Sequence, residues 1–173
     1  IFSIGQYFLP GLDNRFGLYE AARTHMQSVK CDAIIATGEP FILFRYANLL
    51  ASEFNIPWIA DYRDGWSQNY AALHKSGRLQ QFINARVLSK IEKKLVKRAS
   101  ICTVTVASHK TEIKALVPEA RIELVMNGFF EEAFALLPVV PFSKTPLTIA
   151  YSGTIYPYQE LETFLDGFSS LVT

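Results

Sequence analysis

Residues 56–66 read IPWIADYRDGW, an apolar run that ends in two carboxylates and a guanidinium within four residues. Pro57 stands at the entry, where a missing N–H is tolerated, and Trp58-Ile59-Ala60 has the character of a buried strand. Upstream, DAIIAT (32–37) is a similar short run closed by Gly38. Downstream lie SICTVTVA (100–107) and RIELVMNG (121–128), the last ending in the turn signal Asn127-Gly128. Between these runs the apolar period changes to that of helices. Phe16, Leu18, Tyr19, Ala22 and Met26 suit one face over 16–28. Pro40 favours a first helical turn for PFILFRYANLLASEF (40–54), whose only charges are Arg45 and Glu53, so this helix belongs in the core. Over 78–98, Leu79, Phe82, Ile83, Val87, Ile91 and Leu95 form one stripe. Ser108 is a fair N-cap for a shorter helix that follows, and 1–7 reads as the tail of a strand. Strands that are apolar throughout, alternating with helices, predict a parallel sheet buried on both faces and covered by helices, an α/β, Rossmann-like fold.

Composition narrows the function classes. The 173 residues carry 17 Lys and Arg against 16 Asp and Glu, a net charge of +1, which gives no reason to expect nucleic acid as a partner. Half the residues are hydrophobic and only 19% are charged, below the ~25% of ordinary globular proteins. That excess predicts apolar surface meant to meet something else. No run of 18 apolar residues exists to span a bilayer. Cys31 and Cys102 are isolated, which fits a reducing, cytoplasmic setting. Neither they nor His25, His74 and His109 share a metal-ligand spacing, so no metal is expected. There is no P-loop, no G-x-G-x-x-G and no G-x-S-x-G, which removes most support for P-loop ATP hydrolysis and serine hydrolase chemistry.

The pattern breaks after residue 132. AFALLPVVPFSKTP (133–146) holds three prolines and reads as an extended linker. LTIAYSG (147–153) then reads as a new buried strand, and the residues up to 173 as the start of a new helix. One strand and one helix cannot bury a core of their own, so 147–173 is expected to open a second, truncated domain.

Ligands of open α/β sheets sit beyond the carboxyl ends of the strands. The candidates there are Thr37, Gly38 and Glu39, Asp61, Tyr62, Arg63 and Asp64, Ser108 and His109, Asn127 and Gly128, and Ser152, Gly153 and Thr154. The Asp61–Asp64 group is the richest. A carboxylate there can orient or deprotonate a hydroxyl and Arg63 can hold an anionic group, although an Asp–Arg pair can equally serve to tie the loop down. Backbone N–H groups near Gly38 and Pro40 would form an anion site if they open a helix, but Glu39 would repel phosphate, and shaping the turn is the plainer role. Residues 78–98 carry seven of the basic side chains against the single acid Glu92, a charge pattern suited to a solvated outer face or to anionic lipid headgroups.

In order, CDAIIATGEPF (31–41), NIPWIADYRDGW (55–66), KIEKKLVKRASICTVTVAS (90–108), IELVMNGF (122–129) and LTIAYSGTIYPYQ (147–159) resemble the N-terminal half of GT-B glycosyltransferases, specifically the glycosyltransferase family 4-like proteins. The resemblance implies transfer of a sugar from a nucleotide-diphosphate sugar, here a donor substrate rather than a cofactor, to the hydroxyl of a glycan or lipid-linked acceptor, without a metal. It places Asp61, Arg63 and Asp64 on the acceptor side of an interdomain cleft, with Asp64 as the catalytic candidate and Gly38, Glu39, Asn127 and Gly128 nearby. It places Gly153 and Thr154 near the donor diphosphate. It also implies polysaccharide or glycolipid synthesis at the inner face of a membrane, and a chain that is inactive without its remaining C-terminal domain. SGTIYPYQE departs from the family in lacking the Arg and Lys often found there. A non-catalytic Rossmann-like binding module and a nucleotide-sugar epimerase or dehydrogenase are the alternatives.

Overall fold

The computed structural model describes residues 4–9, 13–67, 78–137, 149–155 and 159–172. The chain divides into two units, Ile1–Gly128 and Phe129–Thr173. In the first unit a single 3-10 turn, Ile4–Tyr7, stands where the sequence predicted the tail of a strand. It is followed by α1 (Phe16–Ser28), β1 (Ile34–Gly38), α2 (Ile42–Phe54), β2 (Trp58–Tyr62), α3 (Arg78–Val96), β3 (Ile101–Val104), α4 (Ala107–Leu116) and β4 (Ile122–Leu124). The four strands form one parallel sheet in the order β1-β2-β3-β4. The fold is α/β and Rossmann-like, as the apolar runs predicted.

Local chemistry sets the turns. Asn55 closes α2 in the left-handed conformation at φ 52°, and Ile56 N–H bonds back to the Ala51 carbonyl at 3.1 Å, which launches the chain into β2. Gly38 ends β1 because a Cβ there would collide with the Phe41 ring. Helix α2 starts at Ile42, two residues after Pro40, and α4 starts at Ala107 with no side-chain cap, so Ser108 is not its N-cap.

The strand order steps always in one direction. With the usual right-handed crossovers, all the connecting helices then fall on one face of the sheet. Burial agrees. Ala36, Ala60, Cys102 and Ile122 lie in register and are buried, as are Trp58, Tyr62 and Val104 on the same face. Phe41, Ile42 and Phe44 of the α2 end pack there, with Phe44 edge-on to Tyr62 at a centroid distance of 4.9 Å. The Cys102 thiol is pushed up to about 12 by this burial and by the nearby Glu92.

The opposite face differs from expectation. Ile35 is 68% exposed, Thr37 and Glu123 are exposed, and Ile59, Ile101 and Thr103 are half-buried. Among the described residues, helices therefore cover one face of the sheet and not both. The apolar runs were read as buried throughout, whereas Thr37, Asp61 and Thr103 recur at the two-residue period of an outward face.

The second unit begins at 129, four residues before the expected linker at 133. A short helix, α5 (Glu131–Ala135), occupies part of that linker. Helix α6 (Leu161–Val172) forms where a helix was expected. The strand predicted at 147–153 is not present over the described residues 149–155, which are exposed and irregular. A strand needs a ladder partner for its N–H and C=O groups, and no described segment of this unit supplies one. No helix among the described residues is long and apolar enough to cross a membrane.

Candidate functional site

The carboxyl ends of the four strands converge on Asp61 and Arg63. Asp61 is 6% exposed and lies in register between Thr37 of β1 and Thr103 of β3. Thr37 Oγ1 donates to its Oδ2 at 3.1 Å, Thr103 Oγ1 to its Oδ1 at 2.6 Å, and Arg63 Nε to its Oδ2 at 2.8 Å. Burial alone would raise this carboxyl. The three donors and the Arg63 charge outweigh burial and hold it below its ordinary range. Asp61 is thus an ionised anchor that already accepts three hydrogen bonds, and the same bonds that hold its carboxyl low make it a poor acceptor of a substrate proton.

Arg63 joins all four strand ends. Its Nε binds Asp61, its Nη1 donates to Asn127 Oδ1 at 2.6 Å beyond β4, its N–H reaches the Gly38 carbonyl at 3.4 Å, and its carbonyl accepts from Thr105 Oγ1 at 3.3 Å. The side chain is still 41% exposed, and its Nη2 has no partner among the described residues. A guanidinium held on two edges presents its third edge in a fixed direction, which is how Arg recognises oxygen ligands with little entropy loss. Asp64, next along, is exposed and without a described partner. The structure thus brings Gly38, Asp61, Arg63 and Asn127 together with Asp64 beside them. Glu39 is exposed after Gly38, and Gly128 is exposed with no atom within 4 Å of an added Cβ. Gly38 itself has a packing role, under the Phe41 ring.

Gly153 and Thr154 belong to the second unit. There the Tyr151 hydroxyl donates to the Thr154 carbonyl at 3.1 Å and closes a small loop around Gly153, whose φ of +154° disfavours a side chain.

One residue of the site region was misread in the sequence. Glu92 of α3, expected to belong to a charged outer face, is 3% exposed. In α3, Leu88, Glu92, Leu95 and Val96 are buried, Val87 and Ile91 of the expected stripe are half-buried, and the side chains of its Leu79, Phe82 and Ile83 lie outside the described residues. Glu92 Oε1 accepts from the Tyr62 hydroxyl at 3.0 Å and Oε2 from the Ser67 N–H at 3.1 Å, and Ser67 in turn bonds Ser89 at 3.1 Å. Burial raises this carboxyl, the bonds from Ser67 and Tyr62 oppose the rise, and the charge of Glu112 adds to it. A signal was available: Glu92 lies four residues after Leu88 and three before Leu95, on the apolar side of the helix. His109 also turns inward, with a buried Nδ1 that lacks a partner among the described residues, and lines a cavity of ≈ 10 Å³ together with Tyr62, Gly65, Trp66, Glu92 and Glu112. No group of three His, Cys, Asp or Glu side chains among the described residues is placed to hold a metal ion.

No protein-family model matches the chain, and no curated protein matches it in sequence.

Proposed function

We propose that the chain provides the acceptor-side domain of a GT-B glycosyltransferase, which moves a sugar from a nucleotide-diphosphate sugar to an acceptor hydroxyl. The observation that carries this reading is the pairing of a locked Arg63, with one edge open, and an unpartnered Asp64 at the carboxyl edge of a parallel sheet. In this scheme Arg63 Nη2 holds an oxygen of the acceptor, and Asp64 accepts the proton of the attacking hydroxyl. Asp61 and Asn127 only orient Arg63. Backbone N–H groups beside Gly153 and Thr154 would approach the donor diphosphate, with no metal required. The acceptor is a glycan or a lipid-linked glycan on the cytoplasmic side of a membrane. The exposed Arg86, Lys90, Lys93, Lys94 and Lys97, with the only acid of α3 turned inward, suit peripheral contact with anionic headgroups there.

The test is release of nucleotide diphosphate and glycan transfer by the full-length protein over a panel of UDP- and GDP-sugars. Asp64→Ala should lower transfer about 10²-fold or more with Tm unchanged, the usual scale for a lost general base. Equal losses of Tm and activity, or no turnover of any nucleotide sugar, would sink the proposal.

A further inference from the structure

Glu92 has no cation beside it among the described residues, yet it lies behind the most polar loop of the domain. Its two oxygens reach residues on either side of that loop. Tyr62 is the last residue of β2, and Ser67 follows Trp66, so one carboxyl closes the ends of the four-residue segment Arg63-Asp64-Gly65-Trp66. Trp66 is held a second way, by stacking on Phe41 at 4.9 Å with rings 2° from parallel. Between these holds stand the two side chains with chemistry to offer, Arg63 and Asp64.

We propose that Glu92 is a positioning residue for the strand-end site: its buried carboxyl, bonded to Tyr62 and Ser67, sets the 63–66 loop and so where Arg63 and Asp64 stand, and charging that carboxyl releases the loop. As a neutral acid, Glu92 keeps its carbonyl oxygen for the Ser67 N–H while its O–H and the Tyr62 O–H share one contact, so no charge is buried and a single hydroxyl hydrogen goes unpaired among the described residues. As a carboxylate it accepts from both Tyr62 and Ser67 but buries a charge with no cation beside it among the described residues, a state that opening to water relieves. The groups facing it offer no compensation by a fixed positive charge. They are Tyr62 of β2, Tyr7 of the 3-10 turn, Cys102 of β3, and Glu112 and His109 of α4 around the shared cavity. Burial, the first cause, makes the folded state prefer the protonated form. The stabilisation from protonated Glu92 is therefore full at pH below the ordinary carboxylate value of 4.5 and is lost as pH rises through the higher folded-state value. The cheapest place for that loss to appear is the loop whose ends the carboxyl holds.

This rests on reading the strand ends as the functional site, but its test needs no transfer assay, so either idea can fail alone. In the ¹⁵N-labelled full chain, the indole N–H of Trp66 and the amides of Asp64 and Gly65 should move together with pH, with one midpoint above 4.5. The indole of Trp58, separated from the loop, should stay. Glu92→Gln donates to Tyr62 and accepts from Ser67 as the neutral acid does, and should freeze all three signals at their low-pH positions. Tyr62→Phe removes a donor to the charged form and should raise the midpoint in an otherwise unaltered site. Movement that persists in Glu92→Gln would assign the titration to His109 or Glu112 and overturn the proposal. So would three signals that do not move between about pH 4 and 9, or a midpoint unmoved by Tyr62→Phe. The last comparison decides the matter if the Gln variant fails to fold.

Discussion

The two faces of the sheet are built from the same four strands and have opposite characters. One presents Ala36, Trp58, Ala60, Tyr62, Cys102, Val104 and Ile122 to the helices and is closed. The other presents Ile35, Thr37, Ile59, Asp61, Ile101, Thr103 and Glu123, and among the described residues no helix lies over it. The polar residues of this second face gather toward the carboxyl ends, where Thr37, Asp61 and Thr103 form a row. The contrast separates two tasks. Dispersion and the hydrophobic effect on the closed face hold the domain together. Charge-assisted hydrogen bonds on the open face hold one guanidinium in one place.

If this division is right, substitutions on the two faces differ in both size and kind. The largest effect belongs to Trp58→Ala, which empties a fully buried site on the closed face and should cost about 3–5 kcal/mol in denaturant unfolding. Gly38→Ala, where the added methyl would meet the Phe41 ring, should cost about 1–3 kcal/mol, since that ring is confined by Phe44, Tyr62 and Trp66. Asp61→Asn tests the open face. Because the Asp61 carboxyl is held below its ordinary value of 3.8, its contribution is present above that pH and is lost as pH falls through the lower folded-state value. The wild-type chain should therefore shed stability below about pH 4 by a component that Asp61→Asn lacks. An identical acid limb in the two proteins would break the assignment of Asp61 as the anchor. Smallest of all, Ile35→Ala on the open face should change stability by no more than about 0.5 kcal/mol, against the 2 or more of a buried isoleucine. A loss on the buried scale would mean that this face is covered in solution.

The same contrast explains what could be read in the sequence. The strands and covering helices were legible because apolar runs of four to six residues and long amphipathic segments leave few other choices. Helix α1 matches its predicted bounds, 16–28. The open face was hidden because IADY, IATG and ICTV each embed one polar residue in an apolar run, and averaging over the run erases a two-residue period. Glu92 was hidden by its neighbours: four lysines and an arginine surround it in KIEKKLVKR, and only its angle on the helix distinguishes it from them. Arg63 and Asp61 were found as a pair, whereas the third member, Asn127, lies 64 residues away and was named as a separate strand-end candidate, since nothing in the sequence joins it to Arg63. For the strand expected at 147–153, the described residues 149–155 show no ladder partner, which a strand needs and which the sequence of one segment cannot reveal.

Cys102 carries a last consequence. Its sulfur is sealed in the middle of β3 and holds its proton up to about 12, while Cys31 sits partly exposed ahead of β1. A thiol reagent at neutral pH therefore meets one accessible and one silent sulfur in the intact domain. The second becomes countable only when the central strands part. The chain carries its own clock for opening, readable by mass in a single labelling time course with a thiol reagent and no residue changed.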